Sequence, residues 1–296
     1  MIKPHVCLIW VMTIKDTTCV SDLLDKMADM LKQSHPTQAR HYARTLLAFV
    51  EARSVNSYIV DPCRMVDAET CVSALHYAQQ LCDNVPLSRL IGVREFWSMT
   101  FALNEATLDP RPDSETVIET VLSLVTDRTQ SYRLLDLGTG SGCLLLALLS
   151  EYPHATGVGV DLSPCALEAA RYNAIVHGLA DRASFAVSHW VEAVVGTFDL
   201  IISNPPYIAL TDKPLLDANV SHHDPSLALF GGDDGLICYR EIFGTVRRLL
   251  KPGGYVVVEI GHTQADDVCA IALDAGFHHV RTVKDIESRN RAVIFD

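Results

Sequence analysis

The first third of the chain carries its apolar residues at helical spacing. One stripe, with members three or four positions apart, consists of Val20, Leu23, Leu24, Met27 and Leu31. A second stripe runs over 39–50, and Pro36 is expected in the first turn of its helix. A third helix is expected to begin near Asp67 as its N-cap. Because residues at this spacing share one helix face, we predict a small helical bundle without chemistry of its own.

The pattern changes at Val85, after which strands become the expected elements. Pro86 interrupts the helical spacing, and short apolar stretches at 91–97 and 99–101 predict two short strands, as in a hairpin. Beyond Pro112, predicted strands and helices alternate. The predicted strands are Arg133–Leu137, Thr156–Val160, Ala183–Val187, Phe198–Ile202, Tyr255–Ile260, His279–Val283 and Arg291–Phe295. The predicted helices are Thr116–Val125, Gly142–Ser150, Cys165–His177, Tyr239–Leu250 and Ala265–Ala275.

Strands that alternate with helices indicate βαβ units, and therefore a mostly parallel sheet covered by helices on both faces. A short polar loop joins the last two strands, which predicts that they run antiparallel to each other. We accordingly expect an α/β chain of three parts. These are a helical domain at 1–84, a hairpin-like linker at 85–108 and the sheet domain at 109–296.

Composition narrows the classes of function. Apolar residues make up 49% of the chain, enough for a packed core, so an intrinsically disordered chain is excluded. The formal net charge of −12, without a dense Lys/Arg run, argues against direct DNA binding. Nine cysteines without a C-x-x-C pair indicate neither a zinc site nor a disulfide framework, so we expect no metal and reduced thiols in the cytoplasm. Apolar runs such as Val6–Met12 are too short for a membrane span, and we expect a monomer.

A glycine-rich loop, residues 136–142 with the sequence DLGTGSG, follows the first predicted strand of the sheet. Its glycines let the backbone approach a ligand, and the N–H groups of the next helix start point towards it. Asp161 ends the following strand, where a carboxylate can accept hydrogen bonds from both ribose hydroxyls. The G-x-G-x-G spacing differs from that of dinucleotide folds, which favours an adenosine-bearing ligand over a nicotinamide cofactor. The alternative is a tight turn without a ligand, with Asp161 merely preceding a helix start.

The tetrapeptide NPPY, Asn204–Tyr207, falls just past another predicted strand, at the sheet edge where open parallel sheets bind ligands. Pro205 and Pro206 lack N–H donors, so their carbonyl oxygens remain acceptors, and Asn204 offers another oxygen. Tyr207 supplies a flat face for stacking. Two acceptors that grip both N–H bonds of an amide or aromatic amine can aim its nitrogen at an electrophilic methyl group without a strong base. A rigid surface turn is the alternative interpretation.

Together these features resemble the HemK/PrmC family of class I S-adenosylmethionine-dependent methyltransferases, which modify a glutamine of peptide chain release factors. The resemblance is strong over about residues 85–296 and extends to the helical part only in kind. The NPPY box alone is shared with adenine-N6 DNA methyltransferases. The segments that are more specific to the family are Pro110–Thr116 and Asp224–Gly235, and Pro86–Gly92 followed by Glu95–Trp97 also matches.

The resemblance implies a Rossmann-like methyltransferase sheet, mostly parallel with an antiparallel last strand, and S-adenosylmethionine as the cofactor. The residues implied to bind the cofactor are Gly138, Thr139, Gly140, Ser141, Gly142, Asp161, Trp190 and Asn204. The residues implied to hold the substrate amide and act in catalysis are Asn204, Pro205, Pro206 and Tyr207. The substrate would be the glutamine N5 of the Gly-Gly-Gln motif of release factors, which the helical domain would help to grip.

The chain departs from the family pattern at two positions. His189 precedes Trp190 where the family usually has an acidic residue, and Asp224 replaces the usual Glu. His222 and His223 stand before Asp224, and because no third ligand is suitably spaced we expect solvated loop residues rather than metal ligands. Trp190 as a core aromatic is an alternative to Trp190 as a neighbour of the adenine.

Two alternatives to glutamine methylation stay open at this point. One is adenine-N6 methylation of DNA, against which stand the net charge of −12 and the lack of a basic target-reading segment. The other is a catalytically silent partner that binds the cofactor and docks through the helical domain. Transfer of a labelled methyl group to protein, to an oligonucleotide or to neither separates the three.

Overall fold

The computed structural model describes residues 17–216 and 223–296. The chain divides into two compact units, one that ends at Ile91 and one that begins at Gly92. This division falls inside the segment 85–108 that the sequence pattern predicts to be a linker. A search of the described residues finds no helix with the length and apolar character that a membrane crossing requires.

The first unit is built from helices that each bury an apolar face. Its elements are α1 (Val20–Leu31), α2 (Ala39–Glu51), α3 (Ser57–Val60), α4 (Ala68–Cys82), α5 (Leu87–Ile91) and the paired strands β1 (Thr18–Cys19) and β2 (Met65–Val66). The five residues predicted to share one face of α1 are each at most 1% exposed, which confirms that stripe. Asp67 is the N-cap of α4, as predicted, since its Oδ1 accepts a 2.8 Å hydrogen bond from the Thr70 N–H.

The two prolines of this unit act differently from the sequence-based expectation. Pro36 lies ahead of α2 and outside its first turn, because the residues before Ala39 form a turn in which the Gln38 N–H bonds to the His35 carbonyl. Pro86 leads into α5 and its carbonyl accepts from the first N–H groups of that helix. A proline fits a helix start because it has no N–H to leave unpaired, so Pro86 precedes a helix, whereas α4 has already ended at Cys82.

The hairpin predicted after Val85 is present in the second unit. Strands β3 (Val93–Phe96) and β4 (Met99–Ala102) pair antiparallel. Trp97 and Ser98 form the turn, with φ angles of 51° and 57°. Phe96 and Phe101 are at most 1% exposed and belong to the same apolar core as the sheet residues, so the hairpin is packed as part of the sheet domain.

The rest of the second unit is a sheet with helices. Its strands are β5 (Arg133–Leu137), β6 (Thr156–Asp161), β7 (Ala183–Val187), β8 (Phe198–Ser203), β9 (Leu250–Glu259), β10 (His279–Lys284) and β11 (Asn290–Phe295). Its helices are α6 (Glu115–Leu124), α7 (Cys143–Glu151), α8 (Pro164–Val176), α9 (Ser226–Leu229), α10 (Ile237–Val246) and α11 (Ala265–Asp274). The strand order is β10-β11-β9-β8-β5-β6-β7. The pairs from β9 to β7 are parallel and β11 pairs antiparallel with both neighbours, which confirms the predicted sheet.

The strand order places a topological switch between β5 and β8. From β5 the chain continues to β6 and β7 on one side, and it then returns to pair β8 with the other side of β5. In open α/β sheets a ligand crevice forms at the carboxyl ends of the two strands that flank such a switch. The glycine-rich loop follows β5 and the NPPY segment follows β8, so both predicted functional segments lie at this crevice.

The region between α10 and β9 differs from the predicted pattern. The helix ends at Val246, and after one 3-10 turn β9 begins at Leu250, where the expected helix would have ended. The register between β8 and β9 shifts between Phe198 and Leu200, and Gly253 adopts a φ of 75°. A bulge of this kind accommodates proline and glycine in a strand, which is why the K-P-G-G sequence belongs to β9 rather than to a loop.

Asn173, in α8, ties the hairpin to the glycine-rich loop. Its carboxamide accepts from the Ala102 N–H at 2.8 Å and donates to the carbonyls of Ala102 at 3.0 Å and Ser141 at 2.9 Å. The side chain is 1% exposed, so water does not compete for these bonds. A single buried amide therefore satisfies three backbone groups from two separate segments.

We expect Asn173→Ala to lower the free energy of unfolding by about 2–4 kcal/mol, because it strands at least two buried backbone groups. Glu168→Ala, an exposed position on the same helix, is the matched control and should change it by less than about 0.5 kcal/mol. Equilibrium denaturation in urea measures both values. Equal stability of the two variants would contradict the assigned role of Asn173.

Candidate active site

The glycine-rich loop is held in one shape by its glycines and by backbone bonds. Gly138, Gly140 and Gly142 have φ angles of 73°, 55° and 82°, a region that residues with a Cβ disfavour. The N–H groups of Gly138 and Thr139 both donate to the Val160 carbonyl at 2.9 Å. The loop therefore curls back against β6 before α7 begins, and it leaves a concave backbone surface at the sheet edge.

Asp136 anchors this loop from inside the protein. It is 1% exposed, and its Oδ2 accepts a 2.7 Å hydrogen bond from the Thr139 hydroxyl. Burial raises the pKa of Asp136 to about 7, an effect that the bond from Thr139 opposes. Because its carboxyl group bonds to the loop rather than facing the cavity, Asp136 shapes the loop.

Asp161 presents a carboxylate at the carboxyl end of β6. Its Oδ2 accepts from the Gly140 N–H and its Oδ1 from the Ser163 N–H, each at 2.9 Å. Burial raises the pKa of Asp161, and these two bonds oppose the shift because they stabilise the charged form. Each carboxylate oxygen keeps a second lone pair for a ligand hydroxyl. Ser163, and not Asp161, is the N-cap of α8, so the capping role does not consume the acid.

Trp190 lies beside the loop and is held by an acid from α10. An added Cβ on Gly138 would lie 3.7 Å from the Trp190 ring, so the indole packs over that glycine. Its Nε1 donates to Glu241 Oε2 at 2.7 Å, and His189 Nε2 lies 3.5 Å from the same oxygen. His189 stands where the family pattern has an acid, and the acid beside Trp190 in this structure is Glu241, which also lines the cavity.

The NPPY segment starts directly beside the glycine-rich loop. Ser203, the last residue of β8, donates its hydroxyl to the carbonyl of Leu137, the last residue of β5, at 2.7 Å. Asn204 follows, and its Nδ2 donates to Ser114 Oγ at 3.1 Å. That bond fixes the carboxamide by its nitrogen and leaves Oδ1 as the acceptor that a ligand N–H can use.

The backbone carbonyls of the NPPY segment have different surroundings. The Tyr207 carbonyl accepts from Gln264 Nε2 at 2.9 Å. The Pro206 carbonyl packs against Gly231, where an added Cβ would lie 2.5 Å from the oxygen. No donor in the described part of the chain is bonded to the Pro205 carbonyl. Among the described residues, the Pro205 carbonyl is thus left without a hydrogen-bond donor of the chain's own.

Residues 225–235, which we call the covering segment, close against the NPPY segment through backbone contacts. The Ile208 N–H donates to the Leu229 carbonyl at 3.0 Å, and the Gly231 N–H donates to the Ile208 carbonyl at 2.9 Å. Gly235 has a φ of 75° and lies directly against the Tyr207 carbonyl, where a Cβ would collide. Gly231 and Gly235 are thus required for close backbone approach.

Asp224, where the family pattern has Glu, still joins two segments of the site. Its Oδ1 accepts from the Asp109 N–H at 3.3 Å, and its Oδ2 bonds to the Arg111 guanidinium. The shorter acid therefore links the P-R-P-D segment to the start of the covering segment. His223 precedes it, whereas His222 lies outside the described residues.

These segments enclose a cavity of about 340 Å³, within the range of small-molecule sites. The predicted site residues that line it are Gly138, Thr139, Gly140, Ser141, Asp161, Trp190, Asn204 and Pro206. Gly142, Pro205 and Tyr207 are not among its lining residues, although they are neighbours of residues that are. A concave glycine loop, a carboxylate with spare lone pairs and an indole in one cavity fit an adenosine-bearing ligand such as S-adenosylmethionine.

Several site residues were not predicted from the sequence. Ser114 lines the cavity and belongs to the P-R-P-D-S-E segment, which was singled out for its resemblance without a role for the serine. Glu259 and Gln264 contact Tyr207, and Glu241 contacts Trp190. The sequence does distinguish Glu259, because it is the one charged residue in the otherwise apolar run 256–260. Glu241 lies within the amphipathic helix α10, where an acid is unremarkable, and Gln264 lies in a polar loop.

We expect Asp161→Asn to raise the dissociation constant for S-adenosylhomocysteine by about 10- to 100-fold, because a neutral amide replaces a charged acceptor. Isothermal titration calorimetry measures this, and Asp181→Asn, an exposed acid beyond α8, is the matched control that should bind as the original chain does. Unchanged affinity in folded Asp161→Asn protein would show that the carboxylate does not contact the ligand.

Comparison with known proteins places the chain in a family. Residues 128–288 match the family model described as a methyltransferase domain. The chain is 43% identical over 244 residues to the release factor glutamine methyltransferase of Bradyrhizobium diazoefficiens, with 82% of each chain covered. It is 41% identical over 272 residues to the protein of the same name from Rhodospirillum rubrum, with 92% of this chain and 83% of the relative covered.

A solved structure extends the likeness to the fold. The hMettl16 catalytic domain, solved in complex with the MAT2A 3'UTR hairpin 6, superposes with a TM-score of 0.53 at 14% sequence identity, covering 79% of this chain and 84% of that one. At this identity the likeness concerns the fold alone. The two bacterial relatives decide the family, since each shares about 40% of its aligned residues with this chain over most of its length. The chain belongs to the release factor glutamine methyltransferase family of S-adenosylmethionine-dependent methyltransferases.

Proposed function

We propose that this chain transfers a methyl group from S-adenosylmethionine to the side-chain N5 of the glutamine in the Gly-Gly-Gln motif of peptide chain release factors. The two relatives at about 40% identity are named release factor glutamine methyltransferase. The observation that carries the proposal within the structure is the position of Asn204, which lines the cofactor-sized cavity while its Oδ1 is left as an acceptor.

The cofactor would be held by the residues at the carboxyl ends of β5, β6 and β7. Backbone of the loop Gly138–Gly142 would face its amino-acid part, Asp161 would accept from the ribose hydroxyls, and Trp190 would flank the adenine. S-adenosylmethionine supplies a methyl group on a sulfonium, an electrophile that needs no metal or base for its activation.

The NPPY segment would grip the substrate amide by both of its N–H bonds. Asn204 Oδ1 is one acceptor, because the carboxamide nitrogen is committed to Ser114. The Pro205 carbonyl is the other, since the Pro206 carbonyl is packed on Gly231 and the Tyr207 carbonyl is bonded to Gln264. An amide nitrogen is a weak nucleophile because its lone pair is delocalised. Acceptors on both N–H bonds orient that lone pair and stabilise the positive charge that develops during attack. The N–C bond would form as the sulfonium S–C bond breaks, and the nitrogen would then lose one proton to water by way of Asn204 or a carbonyl.

Tyr207 would complete the clamp as a neutral side chain. Burial raises the pKa of Tyr207, and the nearby Glu259 charge raises it further, so the phenol keeps its proton at neutral pH. Its hydroxyl donates towards Glu259 Oε1 at 3.4 Å, which holds the ring in place as a wall for a planar amide.

The parts of the chain would divide the work. We assign substrate recognition to the helical domain at 1–84, a linking role to 85–108 and methyl transfer to 109–296. The separate compact unit that ends at Ile91 supports such a recognition domain. The eight cysteines of the described residues are free thiols, which supports action in the cytoplasm, where release factors work. We further propose that the chain acts as a monomer and without direct contact to DNA.

We expect the purified chain to label a release factor with methyl groups from labelled S-adenosylmethionine, and mass spectrometry should place the label on the glutamine of the Gly-Gly-Gln motif. Asn204→Ala should lower the transfer rate at least about 100-fold, because one of two amide acceptors is lost. Gln130→Ala, an exposed carboxamide of the part at 109–296, is the control. Labelling of an oligonucleotide instead would favour adenine methylation, and cofactor binding without transfer to either would favour a silent partner.

We expect Gly231→Ala to abolish transfer while leaving cofactor affinity unchanged. The new Cβ would lie 2.5 Å from the Pro206 carbonyl, so the NPPY backbone must move by a distance that a bound amide does not tolerate. Gly244→Ala on α10, where nothing lies within 4 Å of the new Cβ, is the matched control. Steady-state transfer and calorimetry separate the two effects. Normal turnover by Gly231→Ala would contradict the close approach that the structure shows.

A further inference from the structure

Glu259 is a fully buried carboxyl group beneath the NPPY segment. It is the last residue of β9, it is 0% exposed, and its Oε1 faces the Tyr207 hydroxyl at 3.4 Å. The Ser114 hydroxyl is near enough to this carboxyl group to lower its pKa, as a hydrogen-bond donor does. Oε2 has no hydrogen-bond partner of good geometry among the described residues. The proposed contacts of Asn204 and Pro205 with the substrate amide do not involve Glu259.

The Ser114 hydroxyl can hold the Asn204 amide only if its own proton is donated to another acceptor. Ser114 Oγ accepts from Asn204 Nδ2 at 3.1 Å, and a hydroxyl carries one proton, which must then be donated elsewhere. Ser114 is 2% exposed, so bulk solvent has little access to that proton. An ionised carboxylate can only accept, whereas a protonated carboxyl group can donate to Ser114 and compete with the Asn204 amide. The charge on Glu259 therefore decides which way the hydroxyl points.

We propose that Glu259 is a positioning residue for methyl transfer: as a carboxylate it takes the Ser114 and Tyr207 hydroxyls as donors, and Ser114 thereby holds the Asn204 carboxamide with Oδ1 towards the substrate amide. This inference rests on the proposed function of the NPPY segment. Glu259 is not among the residues that line the cavity. It acts through Ser114 on one side of the clamp and through Tyr207 on the other.

The surroundings of Glu259 bring its ionisation near neutral pH. Burial raises the pKa of Glu259 to about 7, the Ser114 bond and the Arg291 charge lower it, and the Asp113 charge raises it. The charge of Arg291 is shared, since its guanidinium bonds to Asp285 and to Asp113 at 3.0 Å. The other titratable groups around the carboxyl are Tyr207, Tyr239 and Cys143, and burial raises the pKa of each, so these three stay neutral.

The direction of the resulting pH dependence follows. Transfer should increase as the pH rises through about 7, because the ionised form of Glu259 organises the clamp. Folding stability shows the opposite slope from this group. Its pKa is raised in the folded chain, so ionisation above the unfolded value of 4.5 is less favourable when folded, and its contribution to stability falls until the pH exceeds about 7.

The test compares Glu259→Gln with the original chain in transfer to the release factor between about pH 6 and pH 9. We expect the original chain to show an increase in kcat with a midpoint near 7, and Glu259→Gln to show no such step and a kcat about 10- to 100-fold lower at pH 8. Affinity for S-adenosylhomocysteine should not change, and Glu259→Gln should be no less stable than the original chain at pH 8. A merely structural glutamate would lose stability instead.

The matched control is Glu151→Gln, a partly buried glutamate that bonds to Trp97 and Arg128 at a distance from the clamp. It should keep the kcat and the pH step of the original chain. Ser114→Ala is the second variant and carries the test if Glu259→Gln does not fold. It should lower kcat by a similar factor and move the pH step upwards, because the bond that stabilises the charged form of Glu259 is gone.

If folded Glu259→Gln or Ser114→Ala protein has the kcat and pH profile of the original chain, the inference is overturned. The proposed function is not affected by that result. If the original chain labels an oligonucleotide and not the release factor, the proposed function fails, and the same pH comparison is made on the oligonucleotide. A chain that binds the cofactor and labels neither overturns both.

Discussion

The site depends on the parallel pairing of β5 with β8. The register sets Leu137 opposite Ser203, and the Ser203 hydroxyl closes the pair through its bond to the Leu137 carbonyl. The glycine-rich loop, which follows Leu137, and the NPPY segment, which follows Ser203, therefore lie side by side at the same edge of the sheet. A slip of this register would separate the cofactor loop from the amide clamp even if both kept their local shape.

Around this pairing the protein places carboxyl groups where ionisation is costly. Asp136 and Glu259 are both buried, and burial raises the pKa of each to about 7. Each faces a hydroxyl that in turn fixes a functional segment: Thr139 in the cofactor loop and Ser114 beneath Asn204. The two acids thus lower the free energy of unfolding near neutral pH, and burial of the apolar cores on either face of the sheet offsets that loss. The hydroxyls beside them hold the two functional segments in place.

The sequence was most informative where one local pattern decides the structure. The stripe on α1, the Asp67 cap, most strand bounds and the positions of both motifs were predicted, because periodicity and turn chemistry act over a few residues. The early start of β9 was not predicted, since a bulge let proline and glycine enter a strand.

Contacts between residues far apart in the sequence could not be predicted from periodicity or turn chemistry. Asn204 bonds to Ser114 and Tyr207 to Gln264, partners that no periodicity connects. Ser114 lay in a segment that was noticed for its resemblance, but only the fold shows that the start of α6 reaches the end of β8. The structure brings the cofactor-loop and NPPY residues to one sheet edge, and their roles stay predictions.

The arrangement of charge at the clamp has a consequence for specificity. A carboxylate in direct contact with the substrate would hold a lysine or arginine side chain more strongly than a neutral amide, because a charged donor strengthens the bond. Asn204 Oδ1 and the Pro205 carbonyl are neutral acceptors and do not give a cation that advantage. The acid stands one hydrogen bond further back, behind Ser114, where it can orient the Asn204 amide without offering a cation its partner. In the proposed function a carboxamide is then preferred to a cation because Glu259 is not among the residues that line the cavity.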